Sequence, residues 1–199
     1  MSKTGIAISF AALSYLWLVA AVAIGGATYP DYSHSSQFMS ELGAIGAPFG
    51  AAVNLWGFAM AELLLLPCLV ICFFHLMRRR AECFGLLVFA GYPILIAVAA
   101  FFPCDFECST ADPTQSQLIH MAAGFLAYFC AVVGLSILSG AVYERPFWIV
   151  PCLILMAMLF NLSIETTFNG LMQRVLETGI YLWFFVILMG KRYHKKQVA

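Results

Sequence analysis

AAVNLWGFAMAELLLLPCLVICFFHLM, residues 51–77, is an unbroken apolar run in which Glu62 is the one formally charged side chain. A helix that crosses the hydrocarbon of a bilayer needs about 20 consecutive, mostly apolar residues. The run is therefore long enough to span, and it has no polar face to turn toward water. Working outward from it, hydropathy and loop chemistry mark five more stretches of the same kind, at 6–27, 83–102, 118–142, 147–164 and 175–190. The whole chain agrees with this reading. Hydrophobic residues make up 63% of its 199 residues, charged residues 10%, and the mean hydropathy is +0.92, whereas a soluble domain carries about 25% charged residues. The expectation is an all-α integral membrane bundle of six transmembrane helices, forming a single domain over 1–199 with one sizeable loop at 28–50.

The first stretch follows Lys3 and ends in small residues, as a secretory signal does. Its apolar length of about 22 residues exceeds the 7–15 of a signal core, so it reads as a retained helix. Orientation comes from the basic residues. With the N-terminus inside, Lys3, Arg78, Arg79, Arg80, Arg145, Lys191, Arg192, Lys195 and Lys196 all fall on the cytoplasmic side and only Arg174 lies outside, which satisfies the positive-inside rule. Both termini are then cytoplasmic, in the cell membrane. The zero net charge hides this asymmetry, since Asp31, Glu41, Asp105, Glu107, Asp112, Glu165 and Glu177 gather at the outer side. Nucleic acid is not a partner such a face would take; membrane lipids are.

The six stretches form three hairpins joined by inner turns at 78–82 and 143–146. A three-plus-three inverted repeat of the transporter kind fits poorly, because the long first loop would correspond to a four-residue turn. In the first loop Asp31 can N-cap a short helix from Tyr32 to Leu42, with Gly43 at its C-terminal end. Phe38, Met39 and Leu42 then share one face, and His34, Gln37 and Glu41 another. Such a helix would cover the bundle as an outer lid. Cys104 and Cys108, four apart in the second outer loop, are expected to form a disulfide in an oxidising exterior. Cys68 and Cys72, one helical turn apart, read as small apolar packing residues.

Polar groups converge on the outer side from three hairpin ends. Asp31, His34, Ser36, Glu165, Asn169, Arg174 and Glu177 are the expected ligand-binding set, and Glu41, Asp105 and His120 are the residues suited to acid, base or metal-ligand roles. His34 and His120 with a carboxylate could hold zinc, although no compact zinc motif is present; no cofactor is predicted. Ser36 or Ser40 with His120 and Asp105 is a conceivable nucleophilic arrangement, without the glycine pattern of a nucleophile elbow. His75 and His194 read as interfacial, and paired histidines for transmembrane haem are missing. Glu62 stands apart. It lies about 11 residues into its helix, roughly 16 Å deep at 1.5 Å per residue, where an ionisable side chain is a functional residue by default. Asn54 and Phe58 lie toward the same face, and Pro67 follows.

The stretches YPDYS (29–33), SQFMSELGA (36–44) and FPCD (102–105), with the later His120, resemble the bacterial and archaeal membrane family known as domain of unknown function 998. The resemblance implies a multi-helix membrane protein and points to Ser36, Glu41, Gly43, Pro103, Cys104, Asp105 and His120. It implies no activity. The residues themselves favour an outer pocket that binds a small polar ligand or lipid headgroup, with lipid processing as its enzymatic form. A proton- or cation-coupled transporter using Glu62 is the alternative, and a non-catalytic accessory membrane protein the third.

Overall fold

The computed structural model of the protein describes residues 2–143, 149–161 and 167–197. Helices dominate, and no strand occurs among the described residues. We label them α1 (Lys3–Thr28), α2 (Gly50–Leu76), α3 (Arg80–Phe101), α4 (Gln115–Tyr143), α5 (Ile149–Asn161) and α6 (Asn169–Gln197). Five of them are long and apolar enough to cross a membrane: α1 to α4, and α6 over Asn169–Lys191. The sixth expected span, 147–164, is described only as the 13 residues of α5. At 1.5 Å per residue these cover about 20 Å of an apolar layer about 30 Å thick. The turn at 143–146 is described only at Tyr143, and Glu165 lies outside the described residues.

The bundle is apolar on its outside and encloses an apolar core in which several polar side chains are buried. Leu16, Phe74 and Phe101 are among its most exposed residues, at 63%, 67% and 67%, while Ser14, Glu62, Gln117, Ser139 and Glu177 are buried. Lipid tolerates an apolar exterior at no cost, and most of the interior polar groups pair with one another across the bundle. Ser14 Oγ and Tyr181 OH lie 2.7 Å apart, Tyr15 OH and Thr178 Oγ1 2.9 Å apart, and Trp183 Nε1 donates to Ser139 Oγ at 2.7 Å. These bonds tie α6 to α1 and α4.

Elsewhere, backbones approach through glycine. A Cβ on Gly85 would sit 2.9 Å from the Leu138 nitrogen, and one on Gly134 would sit 2.7 Å from Phe89 Cα. The α3–α4 hairpin is accordingly the closest-packed pair in the fold. At the end opposite the loops, Glu82 is buried and accepts hydrogen bonds from the Arg78 and Arg79 backbone nitrogens at 2.8 and 3.3 Å. It also pairs with Lys191 of α6. That capture explains why α3 begins at Arg80 rather than at residue 83: the carboxylate caps the first turn.

Two sequence expectations change here. The first loop does not form a helix over Tyr32–Leu42 capped by Asp31. Asp31 instead adopts a left-handed φ of 56°, and helical structure is limited to a 3-10 turn at Met39–Gly43. The Glu41 carboxylate accepts from the Phe38 backbone nitrogen at 2.7 Å and from Gln37 Nε2 at 2.9 Å. The turn therefore starts at Phe38, seven residues later than an Asp31 cap would place it. Met39 and Leu42 are buried as the expected stripe required, and Glu41 is buried too. The other change is at α6, which begins at Asn169 rather than 175. Its first free amides, on Gly170 and Leu171, donate to the carbonyls of Ser36 at 3.3 Å and Ser35 at 2.8 Å, so the loop satisfies groups every helix start leaves open.

Gly134 gives a direct test of the glycine contact. Gly134→Ala places a methyl against the Phe89 backbone and is expected to lower stability by about 1–3 kcal/mol. Gly124→Ala, where nothing lies within 4 Å, should be neutral or gain up to about 1 kcal/mol. Thermal unfolding of both variants in the same detergent compares the two.

Candidate functional site

The three chain segments at the loop end are laced to one another. Arg174, two turns into α6, donates through one terminal nitrogen to the Gln37 carbonyl at 3.0 Å and the Gly170 carbonyl at 2.8 Å. Its other terminal nitrogen reaches Tyr32 OH at 2.6 Å and His34 Nδ1 at 3.1 Å. Since Nδ1 accepts from a guanidinium, the imidazole proton sits on Nε2. Gln173 accepts from the Met39 nitrogen at 2.7 Å and donates to Tyr128 OH at 3.3 Å. Asn54 donates to the Gly43 carbonyl at 2.8 Å, and Gly43 has no room for a Cβ beside that amide. The second loop joins through Ile45, whose nitrogen donates to the Cys104 carbonyl at 2.8 Å.

Beneath this lacing is an intramembrane cavity of about 70 Å³. Glu62 of α2 and Glu177 of α6 both line it, with Asn54, His120, Tyr128 and Gln173 above and beside them. Glu62 is 2% exposed, and neither of its carboxylate oxygens has a hydrogen-bond partner among the described residues. Glu177 is hydrogen-bonded by Tyr92 OH. The α2 backbone is unusual on both sides of Glu62, with wide π-helical turns at Val53–Ala59 and Cys72–Leu76 and Pro67 between them. Such turns recur at functional sites because they free carbonyls and redirect side chains. Here the carbonyl of Trp56 accepts from Trp17 Nε1 at 2.6 Å.

The expected site residues separate into two groups. Asn54, Phe58 and Glu62 do share the cavity, as their spacing suggested, and His120 joins them. His120 Nδ1 lies 2.9 and 3.0 Å from the Ala99 and Phe102 carbonyls at the end of α3. Two acceptors there put the proton on Nδ1 and leave the Nε2 lone pair free. Asp105 is elsewhere, accepting from the Thr114 nitrogen at 2.9 Å and the Thr114 hydroxyl at 2.7 Å at the start of α4. Glu41 is engaged by Gln37 and Phe38. Hydrogen bonds therefore do not join Glu41, Asp105 and His120 to one another. Ser36 meets α6 through its backbone, Asn169 is buried at the start of that helix, and Asp31 is exposed.

Glu177 is the residue whose setting the sequence did not reveal. Its place near the start of a span suggested the outer surface, yet it is 4% exposed and faces the same space as Glu62. The signal available was its four-residue spacing to Tyr181, which is buried with it. Outside the spans, burial raises the Glu41 carboxyl above its ordinary range, and the nearby Glu107 charge adds to this against the bonds from Gln37 and Phe38. Among the described residues no three His, Cys, Asp or Glu side chains converge as a metal site. Cys104 and Cys108 come to a Cα separation of 4.9 Å, inside the range a disulfide spans.

A helical bundle with apolar flanks, at least five helices fit to span, and carboxylates in its interior is a multi-pass membrane protein. The family model described as "Protein of unknown function (DUF998)" matches residues 12–190, and the chain belongs to that family. No curated protein and no solved structure matches it.

His34 reports on the lacing. Desolvation, and then the positive charge of Arg174, hold its imidazole below the usual histidine range. A lowered folded value means that the contact's stabilisation is present above the unfolded value of about 6.5. It is lost as pH falls through the folded value. The NMR titration midpoint of His34 is expected below that of a free histidine, and Arg174→Gln should move it up.

Proposed function

We propose that this chain binds a proton or a small cation at Glu62 within the membrane, as the binding step of coupled transport. One observation carries the reading: a wholly buried carboxyl group whose two oxygens are unpartnered, facing a cavity lined by a second carboxyl group. A bare carboxylate in a medium of low polarity costs many kcal/mol unless something positive or proton-bearing compensates it. The nearest described cation toward this end is Arg174, and its bonds run to Gln37, Gly170, Tyr32 and His34 instead. The cavity's volume suits a few water-sized species, each taking about 30 Å³ in the liquid.

Several features fit with this. His120, with a free lone pair on the cavity side, and Glu177, held by Tyr92, are positioned to exchange a proton with Glu62. Asn54 and Gln173 connect the cavity to the 3-10 turn above, so that turn is its cover. Six spans with both termini cytoplasmic, as the basic residues direct, would open this cover to the exterior of the cell membrane. A Cys104–Cys108 disulfide would then be stable there and would hold the second loop against Ile45.

Carbodiimide reacts with protonated carboxyl groups in apolar surroundings, and peptide mapping should find it on Glu62. The adduct should decline as pH rises, since the ionised form does not react, and Glu62→Gln should remove it. In proteoliposomes on a solid-supported membrane, a pH or sodium jump should give a transient current that the same substitution abolishes. A current of unchanged size in Glu62→Gln would remove Glu62 from the role.

A further inference from the structure

A second feature lies on the outside of the bundle. Between α1 and α6 runs a groove of about 300 Å³, with Tyr15, Leu18, Val19, Val22 and Ala23 along it and His34 and Arg174 at its loop end. Its walls are apolar where they face the bilayer core. Its head is cationic: Arg174 makes no ion pair among the described residues, although the Glu41 carboxylate is near enough to feel its charge, all four of its hydrogen-bond partners are uncharged acceptors, and its Nε–H is buried without a partner. Beside it, the His34 Nε2–H lies over Gly26 of α1, where a Cβ would strike the ring. A guanidinium with neutral hydrogen-bond partners keeps charge for something else, and the imidazole N–H adds a donor at the same level.

We propose that this groove is a binding site for one anionic glycerophospholipid, with its phosphate against Arg174 and His34 and an acyl chain along Leu18, Val19, Val22 and Ala23. Charge and shape select that occupant together. The basic pair sits where a headgroup lies, about two to three helical turns above Leu18 and Tyr15 at the level of Gly26, and the apolar strip below it continues into the hydrocarbon. Arg174 is also the one basic residue on this side of the chain by the positive-inside reading, so its charge has no local competitor for an anion. Leu18, Met39 and Glu177 line both this groove and the Glu62 cavity. A lipid seated there covers the wall between the cavity and the bilayer. The site is separate from the Glu62 reading, and either can fail without the other.

Native mass spectrometry of the full chain, titrated with phosphatidylglycerol, phosphatidylcholine or water-soluble glycerol 3-phosphate, tests this. Phosphatidylglycerol should be retained over phosphatidylcholine by about fivefold, the ratio one basic side chain gives at an anionic surface, and glycerol 3-phosphate should not compete. Ala23→Trp fills the groove from its exposed side and leaves Arg174 in place, so it should lose the preference while keeping the wild-type thermal midpoint. Arg174→Gln should lose it too, and Arg174→Lys should keep part of it. In the wild type, phosphatidylglycerol should raise the His34 titration midpoint, because a nearby anion favours the charged ring. Equal retention of the two lipids, an unchanged preference in a folded Ala23→Trp, or full competition by glycerol 3-phosphate overturns the proposal.

Discussion

In a bilayer, burying apolar surface does not drive helices together, because lipid is as apolar as leucine. Everything that fixes this bundle must therefore come from close backbone contact or from polar groups that have nowhere else to go. The chain uses both, in different places. The α3–α4 hairpin closes through Gly85 and Gly134 along its middle, with polar contacts from His120 and Arg79 confined to its ends. The approach of α6 to α1 and α4 rests on hydroxyls, an indole and the side chain of Gln173, and Arg174 ties α6 to the first loop. The first loop belongs to the second system, and it supplies hydrogen bonds to α6 rather than simply connecting α1 to α2.

That division explains what could be read in advance. Hydropathy requires only composition, so α1 to α4 were legible to within a few residues. The beginning of α6 was not, because Asn169, Gln173, Arg174 and Glu177 look like a loop when their partners are unknown; the Ser36 and Ser35 carbonyls that satisfy its first amides come from 134 and 136 residues earlier. The first loop was misjudged for a related reason. Asp31 is a sound local cap, but Glu41 wins by closing on Phe38, and Tyr32 OH is drawn away to Arg174 and the Phe38 carbonyl. Glu62 was legible by depth alone, whereas its pairing with Glu177 was not, since two distant positions on separate helices share no sequence signal.

The polar residues gathered by the sequence at the outer side thus do unlike things. Arg174, Gln173, Asn54 and Gln117 hold the structure together through hydrogen bonds to backbone groups of another segment, and Glu41 closes its own turn on Phe38 and Gln37. Asp105 shapes the entrance to α4. Among the described residues, Glu62 alone of the interior carboxyl groups holds nothing. A residue kept at such energetic cost without structural return is what sets the cavity apart from the lacing above it.

The wide turn at Val53–Ala59 has a consequence of its own. On a regular α-helix of 3.6 residues per turn, Asn54 and Glu62, eight residues apart, would point about 80° away from each other. A π-helical stretch takes more residues per turn, about 4.4, and five steps of it bring the two side chains to within roughly 10–20° of one line. The lining of the cavity is therefore encoded in how many residues lie between Asn54 and Glu62 as much as in which ones they are. Straightening the turn without removing a residue would rotate the carboxyl group away from the amide that shares its cavity, whereas a single deletion would leave the two seven residues apart on an ordinary helix, again within about 20° of one line.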